Sequence, residues 1–165
     1  MDKNIVLIGM MGSGKTSVGK VLAKKLDVPF VDIDTSIQEK TRKTPAQIFA
    51  QHGEEFFRTL ERAETVMAAA KTPQVISTGG GCVLNQNSMM ALKRNGVIVF
   101  LNRPVDAIAG DVDFASRPLL NSPDDIFKIH AERLPLYEKY ADFTLHGDIS
   151  PDDAVLEILR CIQNN

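Results

Sequence analysis

The chain reads Gly9-Met10-Met11-Gly12-Ser13-Gly14-Lys15-Thr16 directly after its first apolar run. This stretch matches the phosphate-binding pattern G-x-x-x-x-G-K-[ST] at every fixed position. The apolar run, residues 5–8, predicts a buried strand, and residues 17–26 repeat apolar side chains at helical spacing. Strand, glycine-rich loop and helix therefore follow one another in the order that the motif requires.

A loop of this kind surrounds phosphate groups with inward-pointing backbone N–H groups and with the partial positive charge of a helix N-terminus. Lys15 can reach the terminal phosphates, and the hydroxyl of Thr16 is a ligand for Mg²⁺. The other candidate nucleotide-binding residues are Gly12, Ser13, Gly14 and Ser17. A plain glycine turn is the alternative, and the complete set of fixed residues argues against it. The loop predicts a bound nucleoside triphosphate but does not identify the group that receives the phosphate.

The composition is that of an ordinary globular protein. The length of 165 residues predicts one domain over residues 1–165, and 44% of the residues are hydrophobic. The formal net charge of −2 argues against a broad basic surface for nucleic acid. The first apolar run is too short for a signal peptide, and no apolar segment is long enough to span a membrane. We therefore expect a cytoplasmic protein that binds neither nucleic acid nor membrane.

Further apolar runs predict strands at residues 30–33, 74–77, 97–101 and 143–145. Helical patterns are found at residues 54–70, 87–94, 123–139 and 151–162, and the third is expected to break or end near Pro135. Alternating strands and helices favour an α/β fold with a parallel sheet covered by helices on both faces. Because active sites of such folds lie at the carboxyl ends of the strands, the residues that follow each strand are the functional candidates.

Two acidic residues follow the second predicted strand. Asp32 and Asp34 are two positions apart, and in an extended segment their side chains point to the same side. A carboxylate here can hold a substrate hydroxyl, accept its proton or support Mg²⁺ through water. The alternative is a pair of solvated or helix-capping acids, but the phosphate-binding loop upstream favours the functional interpretation.

Three consecutive glycines, Gly79, Gly80 and Gly81, follow the third predicted strand. They suit a backbone that approaches a ligand closely and presents bare N–H groups, and a tight turn is the alternative. Arg58 and Glu61 lie three residues apart on the preceding predicted helix, where they can form an ion pair. A guanidinium can bind a carboxylate through two parallel hydrogen bonds, although a lone arginine is more often an ordinary surface charge.

Residues 102–121, after the fourth predicted strand, are polar and show little regular pattern. Such a segment in a compact domain is often a mobile lid, and an arginine within it, Arg117, can neutralise charge on a transferring phosphoryl group. A flexible surface loop is the alternative. Arg133 lies on the next predicted helix, where it is either a surface charge or a functional residue.

Taken together, these residues resemble the shikimate kinase family, which are small P-loop kinases related to the nucleoside monophosphate kinases. The resemblance runs nearly from end to end. It is carried by residues 9–16, Asp32-Ile33-Asp34, Phe57-Arg58 with Glu61, Gly79-Gly80-Gly81, Arg117-Pro118-Leu119-Leu120, and Arg133 with Pro135-Leu136-Tyr137. Each motif after the phosphate-binding loop is weak by itself, but six motifs in the right order are a strong signal.

The resemblance implies a P-loop three-layer sandwich with five parallel strands in the order 2-3-1-4-5 and helices on both faces. It implies an acceptor-binding region near residues 32–61 and a lid near residues 110–121. The implied reaction transfers the γ-phosphoryl group of ATP to the 3-hydroxyl of shikimate, on the route to chorismate and the aromatic amino acids. ATP and shikimate are then the substrates, Mg²⁺ is the cofactor, and we expect a monomer.

The resemblance also implies roles for individual residues. The implied catalytic residues are Lys15, Asp34 and Arg117, and Arg117 also joins the loop in binding ATP. The implied shikimate-binding residues are Asp34, Arg58, Gly79, Gly80, Gly81 and Arg133, with Glu61 holding Arg58 in place and with Phe49 and Phe57 beside the ring. Mg²⁺ would be bound by Thr16 and, through water, by Asp32.

The predicted lid departs from the family pattern. The family usually carries an arginine that stacks on adenine a few residues before Arg-Pro-Leu-Leu, whereas residues 106–116 contain no Arg or Lys and include Asp111 and Asp113. Phe114 is the alternative stacking residue. We therefore expect weaker nucleotide binding, or looser selectivity for the base, than is usual in the family. The stretch Asp148-Ile149-Ser150-Pro151 resembles the family's second adenine-side loop, so some adenine contact is expected to remain.

Two other functions stay open on the sequence alone. A gluconate kinase or a nucleoside monophosphate kinase shares the phosphate-binding loop but lacks the combination of Asp34, Arg58, the triple glycine and Arg133. Gluconate is the harder acceptor to exclude, because it is also a hydroxy acid. A catalytically silent nucleotide-binding module is favoured by the acidic lid, but the presence of Lys15, Asp34 and Arg117 argues against it.

Overall fold

Five parallel strands form one sheet in the computed structural model, which describes residues 2–113 and 119–163. The strands are β1 (Asn4–Ile8), β2 (Phe30–Asp32), β3 (Val75–Ser77), β4 (Gly96–Asn102) and β5 (Phe143–His146). They lie in the order β2-β3-β1-β4-β5, and every pairing is parallel. The predicted strand order is therefore confirmed.

Helices cover both faces of this sheet. Among the described residues they are α1 (Lys15–Leu26), α2 (Ile33–Thr41), α3 (Pro45–His52), α4 (Glu54–Ala69), α5 (Gln86–Arg94), α6 (Val105–Asp111), α7 (Pro123–Tyr140) and α8 (Pro151–Gln163), with a 3₁₀ turn at Cys82–Leu84. Within that part of the chain, no helix has the length and apolar character needed to cross a membrane.

Each face of the sheet has its own hydrophobic core, because successive side chains of a strand point to opposite faces. Ile5 of β1 belongs to a cluster with Leu22 of α1 and Ile158 of α8. The next residue, Val6, belongs to a second cluster that includes Ile126 of α7. Since both faces of β1 are buried, the strand is a continuous apolar run, as expected for the centre of a parallel sheet.

Strand β2 is one residue shorter than predicted. It ends at Asp32, and Ile33 begins α2. The reason is that the carboxylate of Asp32 accepts a hydrogen bond from the backbone N–H of Thr35 and so caps the helix. The prediction that Asp32 and Asp34 point to the same side of an extended segment is therefore wrong, because Asp34 lies in the first turn of α2.

Two further corrections concern helices. The segment predicted to lack regular structure contains α6, and the helix predicted to break near Pro135 continues to Tyr140. Pro135 removes one backbone hydrogen bond from an 18-residue helix. The fully buried side chains of Ile126 and Tyr137, which flank that position, hold the helix against the sheet despite this loss.

Candidate active site

The phosphate-binding loop connects β1 to α1. Gly9, Gly12 and Gly14 have φ angles of 146°, 74° and 91°, which L side chains rarely adopt. The ammonium of Lys15 donates hydrogen bonds to the carbonyl oxygens of Gly9 and Met10, at 2.9 and 2.7 Å. Its charge is therefore held at the loop, next to the N-terminus of α1, where an anion is favoured.

Asp32 is linked to the loop as well as to α2. The hydroxyl of Thr16 donates a hydrogen bond of 2.6 Å to Oδ2 of Asp32, while Oδ1 accepts from the backbone N–H of Thr35 at 3.1 Å. The helix-capping interpretation of Asp32 is thus correct, but the same carboxylate also contacts the residue expected to bind Mg²⁺. Two side-chain oxygens from different elements meet at the start of α1.

A cavity of about 680 Å³ opens between the loop and α2. Lys15 and Thr16 line it from α1, and Asp34 and Gln38 line it from α2. It also reaches the residues that follow β3, including Gly80. The phosphate-binding residues and both predicted carboxylates, Asp32 and Asp34, therefore share this space, at the carboxyl ends of the strands.

A second, smaller cavity joins the first, because Met11, Asp34, Pro45 and Gly80 line both. Its other lining residues are Phe49, Phe57, Arg58, Glu61, Gly79, Gly81, Leu119 and Arg133. Two guanidinium groups, two carboxylates and two phenyl rings, contributed by helices α2, α3, α4 and α7, thus surround one small space. The ring centroids of Phe49 and Phe57 are 5.0 Å apart.

Gly79 and Gly81 make room for charged side chains. A Cβ atom added to Gly79 would lie 3.0 Å from Oδ1 of Asp34 and would collide with Oε1 of Glu61. A Cβ atom added to Gly81 would collide with the guanidinium of Arg58. The close approach predicted for the glycine run is thus an approach to the protein's own ionic groups on the cavity wall.

Gly80, between them, faces the phosphate-binding loop and α7. A Cβ atom there would lie 3.1 Å from the backbone nitrogen of Met11 and 3.5 Å from Nη1 of Arg133. The hydroxyl of Tyr137 donates a hydrogen bond of 2.6 Å to the carbonyl oxygen of Gly80. Burial raises the pKa of Tyr137 to about 12, although the neighbouring Arg133 acts in the opposite direction.

Arg58 is held by two carboxylates of its own helix. Its Nη1 lies 2.8 Å from Oε2 of Glu61, and its Nη2 lies 3.5 Å from Oε1 of Glu54. Burial disfavours the charged form, but Glu61 and Glu54 outweigh this effect and raise the pKa of Arg58 above its ordinary value. Within the described chain, the buried Nε of Arg58 and Oε1 of Glu61 have no hydrogen-bond partner, so Arg58 keeps a donor that the protein does not use.

One charged residue beside the loop was missed by the sequence patterns. Arg103 follows β4, donates a hydrogen bond of 3.0 Å to the carbonyl oxygen of Gly12, and pairs with Asp148 at 2.7 Å and with Asp111 at 2.5 Å. Hydrogen bonds to Asp148 and Asp111 raise the pKa of Arg103. The hydrogen bond between Arg103 and Asp148 in turn lowers the pKa of Asp148. Its position directly after a strand, the criterion that selected the other candidates, could have identified it.

Two predicted residues lie outside the described residues. Arg117, expected to contact the transferring phosphoryl group, and Phe114, expected to stack on adenine, fall in the gap between residues 113 and 119. The remaining predicted site residues line the two joined cavities or the loop that borders them.

Known proteins resemble this chain in both sequence and structure. A family model described as shikimate kinase matches residues 11–163. The chain belongs to the shikimate kinase family. The resemblance inferred from its motifs is therefore confirmed.

Individual shikimate kinases match over almost the whole chain. That of Clostridium botulinum (strain Eklund 17B / Type B) is 40% identical over 167 residues and covers 100% of both chains. The solved structure of shikimate kinase from Acinetobacter baumannii in complex with shikimate has a TM-score of 0.95 and 33% identity, and covers 99% of this chain and 94% of that one. Shikimate kinase from Aquifex aeolicus has a TM-score of 0.88 and 37% identity, and covers 98% and 97%.

Proposed function

We propose that this chain transfers the γ-phosphoryl group of ATP to the 3-hydroxyl of shikimate and releases shikimate 3-phosphate and ADP. The proposal is carried by the two joined cavities. One contains the phosphate-binding loop with Lys15, and the other contains Arg58 and Arg133 next to Asp34. The product lies on the route to chorismate and the aromatic amino acids.

The acceptor cavity matches the chemistry of shikimate, which carries one carboxylate and three hydroxyl groups on a ring. Arg58 and Arg133 supply two planar guanidinium groups for the carboxylate, and such pairs favour bidentate hydrogen bonds. Glu61 acts as the positioning residue that fixes the orientation of Arg58. Phe49 and Phe57 provide an apolar wall for the carbon ring.

The glycine run contributes backbone groups to the same cavity. Gly79, Gly80 and Gly81 all line it, and with no side chain to block access their N–H groups can donate to the substrate. The space that Gly79 and Gly81 leave is also what permits Asp34 and Arg58 to lie so close to the backbone.

Asp34 lines both cavities and is the residue we assign to the acceptor hydroxyl. The hydroxyl oxygen forms a bond to the γ-phosphorus while the bond from that phosphorus to the β-bridging oxygen breaks. The carboxylate of Asp34 orients the hydroxyl and accepts its proton, and a base in this role contributes about 10²–10⁴-fold to the rate. Most of the remaining effect comes from positioning and from stabilised charge.

The nucleotide phosphates are assigned to the loop. The backbone N–H groups of residues 12–17 and the ammonium of Lys15 surround the β- and γ-phosphates, as in other phosphate-binding loops. Arg117 would neutralise the charge that develops on the transferring group. Carbonyl oxygens of Gly9 and Met10 hold the ammonium of Lys15 at the loop to which these phosphates are assigned.

The same region fits Mg²⁺, which prefers oxygen ligands and is usually held by one or two protein oxygens together with substrate phosphates. Thr16 and Asp32 supply a hydroxyl and a carboxylate 2.6 Å apart. In the described part of the chain, no group of three or more His, Cys, Asp or Glu side chains would hold a metal without the nucleotide. Thr16 would bind Mg²⁺ directly and Asp32 through water. When bound, Mg²⁺ neutralises charge on the β- and γ-phosphates.

We further propose one catalytic domain over residues 1–165 that works as a cytoplasmic monomer, with the acceptor-binding region near residues 32–61 and the lid near residues 110–121. The net charge of −2 supports small-molecule substrates rather than nucleic acid as the partners. The acceptor-side residues Asp34, Phe49, Phe57, Arg58 and Glu61 fall within the first of these regions.

The proposal is tested by measuring acceptor-dependent ADP release with ATP and Mg²⁺, with shikimate, gluconate and AMP offered separately. We expect release with shikimate alone. Release with gluconate or AMP would retain the kinase but contradict the roles of Arg58 and Arg133. Binding of nucleotide without release in any of the three reactions would instead support a silent nucleotide-binding module.

A further inference from the structure

Arg103 joins three separate segments around the nucleotide-binding loop. Its Nη1 donates to the carbonyl oxygen of Gly12 at 3.0 Å, within the loop itself. Its Nε and Nη2 donate to the two carboxylate oxygens of Asp148, at 2.7 and 3.4 Å, in the connection between β5 and α8. Nη2 also donates to Asp111 at the end of α6. We call Arg103, Asp111 and Asp148 the arginine bracket.

The arginine bracket adds little to the stability of the fold. The side chains of Asp111 and Asp148 are 63% and 58% exposed, whereas that of Arg103 is 19% exposed. Ion pairs with such exposed partners are worth about 0–1 kcal/mol. Arg103 nevertheless makes hydrogen bonds to three different segments. Because these bonds add little to stability, we infer that they serve to fix the orientation of the Arg103 side chain.

The bracket borders a third cavity, on the far side of the loop from the acceptor. Arg103 and Asp148 line it together with loop residues Gly12 and Gly14, and its apolar wall includes Ile149. The cavity therefore begins at the phosphate-binding backbone and extends over an apolar surface, which suits the nucleoside part of a nucleotide.

The chemistry of Arg103 suits a flat, neutral ligand better than a phosphate. Two carboxylates already compensate its charge, so little attraction remains for an anion. Hydrogen bonds from Nε, Nη1 and Nη2 to three different residues fix the orientation of the guanidinium plane, and a planar cation held in this way is suited to stacking on a flat ring.

We propose that Arg103 is a positioning and selectivity residue for the nucleoside of ATP: the bracket fixes its guanidinium as one wall of the nucleoside cavity, which Ile149 also lines. This inference rests on the proposed function, because it assumes that the loop binds a nucleotide. It gives Asp111 and Asp148 a specific task, which is to hold Arg103 in place.

Calorimetric titration of the whole chain with Mg²⁺-ADP, and separately with Mg²⁺ and inorganic tripolyphosphate, tests the inference. Arg103→Ala is expected to weaken ADP binding about tenfold, while tripolyphosphate binding stays within about twofold of the unmodified chain. In turnover, the KM for ATP should rise and the KM for shikimate should not. Arg103→Lys should not restore ADP binding, because an ammonium lacks the planar fork.

Two further variants keep the result interpretable. Asp148→Asn weakens the bracket without removing Arg103. It should weaken ADP binding less than Arg103→Ala does, and it should leave tripolyphosphate binding unchanged. Lys93→Ala removes another exposed ion pair, with Asp142 at 3.2 Å and outside all three cavities described above, and should change neither titration. Melting temperatures measured in parallel should agree closely for all of these variants.

Unchanged ADP binding in Arg103→Ala would overturn the inference. An equal loss for ADP and tripolyphosphate would also overturn it, because Arg103 would then act through the loop and not on the nucleoside. If the unmodified chain bound neither ligand, the proposed function would fail and this inference would fail with it.

Discussion

Opposite charges lie side by side on the wall of the acceptor cavity. Arg58 is held by Glu61 at 2.8 Å, and both reach the glycine run. Buried charges persist only when they are paired, and removing one partner of such a pair is strongly destabilising. The oriented Arg58–Glu61 pair therefore gives the cavity a fixed positive group before any substrate arrives.

Gly81→Ala tests whether the close approach of Arg58 to the glycine run matters. The added Cβ would displace the guanidinium, so the KM for shikimate should rise about tenfold while the KM for ATP changes little. Steady-state kinetics with each substrate varied in turn measure both constants. The KM for ATP of the same variant is the internal control, and an equal rise in both constants would contradict this role of the close approach.

Arg133→Lys tests the second guanidinium. An ammonium keeps the charge but cannot form two parallel hydrogen bonds to a carboxylate, so shikimate binding should weaken about tenfold or more and ATP binding should not. Separate titrations with shikimate and with ADP distinguish the two effects. Equal losses for both ligands would contradict the assigned role.

The identity of most candidate site residues could be predicted from the sequence, whereas the contacts between them could not. Asp34, Arg58 and Arg133 were selected from their positions in the sequence, but only the fold brings them into one cavity. Arg103 was missed as a candidate, and nothing in its immediate sequence indicates that it pairs with Asp111 and Asp148. Contacts between distant segments depend on chain packing, which local patterns do not encode.

At the scale of elements, local signals decided which helices were predicted. Helices with a clear apolar periodicity, such as α4, α8 and the nine-residue α5, were predicted, whereas the short helices α2 and α3 were not. Both short helices begin with a side-chain cap, at Asp32 and at Thr44. Both capping residues can be recognised in the sequence. An Asp after a strand can also be a catalytic residue, however, and the functional interpretation of Asp32 was preferred to the capping one.

Thr44→Ala tests the capping of α3, the helix that carries Phe49 to the acceptor cavity. The hydroxyl of Thr44 accepts from the N–H of Gln47, and the amide of Gln47 accepts from the N–H of Thr44. Losing this reciprocal cap should lower the free energy of unfolding by about 1 kcal/mol in urea titrations. Thr59→Ala removes an exposed hydroxyl bonded within a helix interior, and a loss of the same size there would contradict the capping role.

At the scale of the whole molecule, the sheet order places all the chemistry at one edge. The phosphate-binding loop follows the central strand β1, while Asp34 and Arg58 follow β2 and the glycine run follows β3 on one side of it. Arg133 reaches the acceptor cavity from α7, which follows β4. Arg103 and Asp148 follow β4 and β5 on the other side. Under the proposed function, the order β2-β3-β1-β4-β5 would separate an acceptor side from a nucleoside side, with the phosphates between them.

Two neutral acids buried beside this edge make stability sensitive to high pH. Burial, reinforced by Glu61, raises the pKa of Cys82 to about 12, and burial raises that of Tyr137 to about 12. The unfolded chain loses these protons at lower pH than the folded chain, so their stabilising contribution is complete below the ordinary pKa values and is lost as the pH rises above them.

Urea unfolding at several pH values should therefore show a free energy of unfolding that declines from about pH 9 upward. The free energy of unfolding of Cys82→Ala should decline less steeply with pH, because only the proton of Tyr137 then contributes. Cys161→Ala changes a partly exposed thiol and should follow the unmodified chain. If the free energy of unfolding of Cys82→Ala declined with pH as steeply as that of the unmodified chain, the raised pKa of Cys82 would be contradicted.

Phosphorus NMR of a reaction containing the protein, ATP, Mg²⁺ and shikimate tests the central claim most directly. We expect one new phosphomonoester signal, coupled to the proton on carbon 3 of shikimate and formed in step with ADP. Lys15→Ala should retain the fold by circular dichroism but form this product at least about a hundredfold more slowly. Phosphate on another hydroxyl, no phosphorylated shikimate, or full activity of Lys15→Ala would contradict the assignment of the two joined cavities.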